Sequence, residues 1–155
     1  MKKSRKIIVI IISVILVTGV ISFFYFSQGE WCEAQGWTGE HNKDSAYLEG
    51  VEGLELKCSK DTRIVYSYAI KSGGAQLKLT RDAAGKDIVE LIEITGDNDS
   101  GTITFDSAKP EVYYLFETAL SKDSDYIADG RCEEYRTKWR QMILRLAFRL
   151  GIDME

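Results

Sequence analysis

Any chemistry in this chain has to start from one histidine, three cysteines and a scatter of carboxylates. His41 has no second histidine with which to hold zinc. A Cys–His nucleophile would need a cysteine beside it, and Cys32 lies nine residues away on a polar stretch. A solvated loop histidine is expected. No G-x-S-x-G, G-x-x-x-x-G-K or H-E-x-x-H run occurs. Asp97, Asn98, Asp99 and Ser100 could offer oxygens to calcium, which makes Asp97 and Asp99 the candidate metal ligands. An EF-hand loop also needs a bidentate glutamate at its twelfth position, where Ala108 stands. Asx-rich turns are otherwise explained by side chains that cap their own backbone. Asp123, Asp125 and Asp129 form a second acidic cluster read the same way. Glu133 and Glu134 are adjacent and do not make a glycosidase pair by spacing. No cofactor and no catalytic residue is expected.

Cys32, Cys58 and Cys132 are odd in number, so one pair and one leftover thiol are expected if the compartment is oxidising. Cys58–Cys132 is the expected pair and Cys32–Cys58 its rival. The compartment follows from the N-terminus. Residues 7–26 read IIVIIISVILVTGVISFFYF, twenty residues without a charge. As a helix at ~1.5 Å per residue they reach about 30 Å, the thickness of a bilayer core. Lys2, Lys3, Arg5 and Lys6 precede them, and Glu30, Glu33 and Glu40 come before the next base, Lys43. That asymmetry predicts a cytoplasmic tail (1–6), a transmembrane helix (7–26) and an extracytoplasmic remainder, hence a single-pass cell-membrane protein. A signal peptide cleaved after Gly29 is the competing reading. Its apolar region is typically about 7–15 residues, shorter than this one. Only four of the 20 bases lie before residue 27 and all 24 acids lie after it, so the exported part carries a net charge of −8. Such a surface repels nucleic acid and anionic headgroups as default partners.

Beyond the anchor, three zones are expected. Residues 27–46 read as a polar juxtamembrane stalk interrupted by Gly29, Gly36 and Gly39. Residues 47–127 read as short strands, at 51–57, 63–71, 75–81, 88–95, 102–106 and 111–116. The inward rows are Ile64, Tyr66, Tyr68 and Ile70, then Ala75, Leu77 and Leu79, then Ile103 and Phe105, then Val112, Tyr114 and Phe116. Residues 88–95 are apolar on both faces in part and read as a central strand. Turns are expected at Ser72-Gly73-Gly74, at 82–86 and at 96–101. Residues 128–155 switch period and read as a helix packed on the sandwich. Trp139, Met142, Ile143, Leu146 and Leu150 form its inward stripe, and Gly151 its C-terminal stop. Leu144 and Phe148 fall opposite and are the candidate surface for a partner chain or the membrane.

Fold class is therefore mainly β with a C-terminal helix: an antiparallel β-sandwich or open barrel behind one N-terminal transmembrane helix. The turn series Gly73-Gly74, 82–86, Ser100-Gly101 and the run Val112-Tyr113-Tyr114 resemble those of small exported, membrane-anchored bacterial β-sandwich domains of unassigned function. The resemblance covers under half the chain and implies no shared catalytic residue. The expected function is a membrane-anchored, non-enzymatic binding or scaffolding module for another envelope protein. The alternative, from another class, is a small-ligand sensor or hydrolase with a site assembled from scattered carboxylates. Convergent acids in a pocket would favour the second, and an exposed apolar patch the first.

Overall fold

A computed structural model of the chain describes residues 2–42, 48–49 and 52–152, with side chains described for 11–42 and 52–152. Tail side chains, residues 43–47 of the expected stalk and sandwich, and Val51 of the first expected strand lie outside the described residues. Packing divides the chain into two units, Met1–Trp31 with Tyr135–Glu155, and Cys32–Glu134.

The second unit is a β-sandwich of two antiparallel sheets. The described strands are β1 (Gly29–His41), β2 (Leu48–Glu49), β3 (Leu54–Cys58), β4 (Thr62–Ser72), β5 (Ala75–Thr80), β6 (Ile88–Ile94), β7 (Asn98–Thr104), β8 (Glu111–Ala119) and β9 (Asp125–Thr137). One sheet has the order β2-β1-β9-β4-β7 and the other β3-β8-β5-β6. Between them lie Leu56, Ile64, Leu77, Leu79, Ile94, Leu115 and Tyr126, each nearly or fully inaccessible. The alternating rows on β4 and β5 face this core as expected.

Five expectations are corrected. Residues 29–41 form β1 rather than a stalk, with Trp37, Gly39 and His41 buried in alternation. Its glycines are not breakers. A Cβ at Gly39 would strike the Glu117 carboxyl, and one at Gly130 of β9 would strike the Trp37 indole. These glycines let a large group cross their strand. Residues 125–137 form β9, so the helix begins only at Lys138; Ala128 and Gly130 look weak for a strand, yet they form its inward row. β6 is an edge strand rather than a central one, and Ile88, Val89 and Leu91 are exposed on it. β8 turns Tyr113, Leu115 and Glu117 inward, the opposite phase to Val112, Tyr114 and Phe116. Residues 98–101, read as part of a turn, are strand, since β7 begins at Asn98 and pairs with β4; the expected turn at Gly73 (φ 69°) is present and carries the chain from one sheet to the other. The hairpin on that side joins β5 to β6, through a loop in which Asp82 accepts from the backbone N–H groups of Ala84, Lys86 and Asp87.

In the first unit α1 spans Lys2–Ser27 and α2 spans Lys138–Arg149. Thr137 caps α2 by accepting from Arg140 N, and Gly151 at φ 68° ends it, as its sequence position predicts. Among the described residues no helix is long and apolar enough to cross a membrane.

Candidate functional site

α2 meets the end of α1. The Lys138 backbone N–H donates to Gln28 O at 2.9 Å. The Lys138 ammonium lies 3.7 Å from the Tyr25 ring centroid, and the Phe26 and Trp139 rings are 5.0 Å apart. Tyr135 joins the same corner: its hydroxyl oxygen accepts from Gly29 N–H at 3.1 Å, and Trp31 packs edge-on to its ring. A groove of about 550 Å³ opens beside this junction, lined by apolar Tyr25, Phe26, Met142 and Leu146, by Lys138, Arg145 and Arg149, and by the carboxylate of Glu30.

The expected inward stripe of α2 is not buried. Trp139 is 47% exposed, Met142 42%, Ile143 45%, Leu146 58% and Leu150 64%; Ala147 alone is buried on this helix among the described residues. Phe148 is 86% exposed and Leu144 half-buried. The apolar side chains of α2 fall on two faces, with Leu144 and Phe148 away from the main stripe, so one contact surface cannot cover them all. The helix also holds Lys138, Arg140, Arg145 and Arg149 and no acid. The net charge of −8 conceals this local cluster of bases.

The cysteines separate into a core pair and an outlier. Cys58 ends β3 in one sheet and Cys132 sits on β9 in the other, both buried, while Cys32 is half-buried on β1. Cys58 is linked to β4 by the short turn in which Ser59 N–H donates to Thr62 Oγ1, and β4 carries Ile64 directly opposite Cys132. The neighbouring Cys132 thiol and burial hold the Cys58 thiol well above its ordinary value.

Two carboxyls are perturbed, in opposite directions. Glu117 is buried between the sheets, facing Tyr68, Tyr126 and the Trp37 indole; its oxygens reach none of them at full hydrogen-bond geometry, and the Tyr68 hydroxyl is likewise unsatisfied. Burial raises it, against the weaker pull of those three groups. Glu133 is also buried, which raises it, but Arg63 and Arg131 outweigh that and hold it below the ordinary range. Arg63 Nε donates to one Glu133 oxygen at 2.7 Å and Arg131 Nε to the other at 2.6 Å.

The remaining candidates do not assemble. Asp97 uses its backbone carbonyl to accept from Ile70, and Asp99 pairs with Tyr68 in the β4–β7 ladder. Asp125 pairs with Lys71 at 3.5 Å. Among the described residues no three of His, Cys, Asp or Glu lie close enough to hold a metal. His41 is not a loop residue. It is buried, its Nδ1 lies 2.6 Å from Ser124 O, and its ring stacks on Tyr126 at 5.8 Å. Sequence reasoning missed Glu117 as well, although an acid in an otherwise apolar alternating run was the available signal.

No family model matches the chain, and no curated protein matches it. Among solved structures it resembles a chain described under "Bacillus endospore appendages form a novel family of disulfide-linked pili". That match has a TM-score of 0.38 and 10% identity, covering 72% of this chain and 93% of that one.

Proposed function

We propose that the chain is a single-pass, membrane-anchored extracytoplasmic module. Its N-terminus is cytoplasmic, residues 7–26 span the bilayer, and the sandwich is presented to another envelope protein. One observation carries the reading. The described side chains of α1 from Ile11 to Tyr25 are all exposed, among them Ile15, Leu16, Ile21, Phe23 and Phe24 at 63–68%. Apolar surface on that scale is stable only where water is absent. Ile7, Ile8, Val9 and Ile10 complete the stretch to 20 residues. The bond from Lys138 N–H to Gln28 O, and that from Gly29 N–H to Tyr135, favour retention of the segment over cleavage after Gly29, since cleavage there would break the chain within this bonded corner.

The test uses the full chain with a C-terminal epitope. It should stay in the membrane fraction after a carbonate wash, and protease added to intact cells should remove the epitope. An epitope protected until the membrane is broken overturns the topology. A mature N-terminus at Glu30 would show a cleaved signal instead.

A further inference from the structure

We propose that α2 lies on the bilayer surface next to the anchor and docks on anionic phospholipid, a reading that rests on the membrane anchor proposed above. Three observations carry it. First, α2 combines exposed Trp139, Met142, Ile143, Leu146 and Phe148 with four bases and no acid. An apolar surface interleaved with Lys and Arg is the composition of a helix seated at the headgroup boundary, where the rings and aliphatic chains enter the acyl layer and the bases meet phosphates. Second, the helix begins where α1 ends, through Phe26–Trp139 packing and the Lys138–Tyr25 contact. Tyr25, Phe26 and Trp139 therefore stand together at the depth where aromatic rings collect at a bilayer interface. Third, the groove beside this junction offers an apolar wall from Tyr25, Phe26, Met142 and Leu146, and its rim carries three bases, Lys138, Arg145 and Arg149, against one acid, Glu30, which accepts from Gln141; the net positive rim and apolar wall match the two ends of a phospholipid.

Charge selects the occupant. An anionic leaflet supplies both halves at the place where α1 holds the helix. Lys138, Arg145 and Arg149 lie on one flank of α2, and three bases near such a surface should change occupancy by about a hundredfold. Long basic side chains also extend past the apolar ones to reach the phosphates.

The experiment places the full chain in nanodiscs of phosphatidylcholine alone or of equal parts phosphatidylcholine and phosphatidylglycerol. Trypsin cleavage after Arg145 and Arg149 is then followed by mass spectrometry. Cleavage should be at least tenfold slower in the anionic discs. The triple variant Met142→Gln, Leu146→Gln, Phe148→Gln should lose that protection while keeping the melting temperature of the sandwich. Equal cleavage rates in the two discs, with the chain incorporated, overturn the proposal. Failure of the chain to enter either disc overturns the anchor instead. The lipid contact is then decided by co-sedimentation with preformed phosphatidylglycerol vesicles, where equal sedimentation of wild type and triple variant overturns it.

Discussion

The sandwich and the helical unit contain similar kinds of residue and dispose of them in opposite ways. In the sandwich, the apolar rows of β4, β5 and β8 close on one another, and even Trp37 finds a floor in Gly130. In α1 and α2, Leu, Ile, Phe and Trp remain open to the surroundings. A sheet presents one face per strand and can be sealed by a second sheet. A helix that is apolar all round needs either many neighbours or a lipid solvent. The sandwich thus carries the information for its own stability, whereas the helical unit is completed by its environment.

Truncation should expose this contrast most strongly. Leu115→Ala in the sandwich core should cost about 2–5 kcal/mol, through lost burial and an unfilled cavity. Phe148→Ala on α2 should stay within about 0.5 kcal/mol in detergent, because the ring is open already. Thermal melts of the two variants measure the difference. Equal losses would mean that α2 is ordinary core and would remove the basis for a lipid-facing helix.

Oxidation of Cys58 and Cys132, free thiols buried in different sheets, would give the covalent counterpart. Loss of two protons and two electrons from Cys58 and Cys132 to an oxidising disulfide would join β3 to β9. It closes a loop of about 75 residues and adds ~4 kcal/mol on the chain-entropy account. Protein isolated from an oxidising compartment should yield a Cys58–Cys132 peptide before reduction. A Cys32–Cys58 peptide would favour the rival pairing, and three unlinked thiols would end the idea.

The same contrast explains what could be read in the residues. Ile64, Tyr66, Tyr68 and Ile70 alternate without exception, and the strand they imply is present with that face inward. β1 and β9 were illegible because their inward rows contain Gly39 and Gly130, whose value lies in a ring or carboxyl from another strand. The phase of β8 was ambiguous because both of its rows carry aromatics, and Glu117 argued against the row that is buried. Periodicity reports a face and says nothing of the sheet to which it belongs, so the placing of β4 and β5 in different sheets was not legible. For the candidate surface, the bases and apolar residues of α2 are all visible in the sequence, but periodicity alone does not say which of its faces is covered. Cys58 and Cys132 are buried on β3 and β9, in different sheets.

A smaller effect separates the rim of the sandwich from its centre. Glu133→Gln removes the charge that Arg63 and Arg131 share and should cost about 2 kcal/mol at neutral pH. Because Glu133 is held below its ordinary range, its contribution is present above the ordinary glutamate value of about 4.3 and is lost as pH falls through its folded value. The penalty of the variant, read from melting temperature, should shrink on acidification. A penalty independent of pH would mean that the arginines hold a neutral group.

Glu117 should respond with the opposite sign and the least amplitude, and it tests whether the sandwich is closed throughout. Its folded value is raised by burial, so the fold keeps the proton that the unfolded chain releases. Below about pH 4.3 both states are protonated and the acid adds no pH-dependent cost; as pH rises towards its folded value, stability falls. Glu117→Gln keeps the shape and removes this ionisation. The Gln amide still faces Tyr68 and Tyr126, so a few tenths of a kcal/mol either way is the expected change at about pH 5. The melting temperature of the variant relative to wild type should then climb between about pH 5 and pH 8. Tyrosine ionisation does not interfere in that interval, because burial holds Tyr68 and Tyr126 above their ordinary values. A difference that stays flat would mean water or a counter-charge reaches Glu117, and the sandwich would then share the openness of the helices.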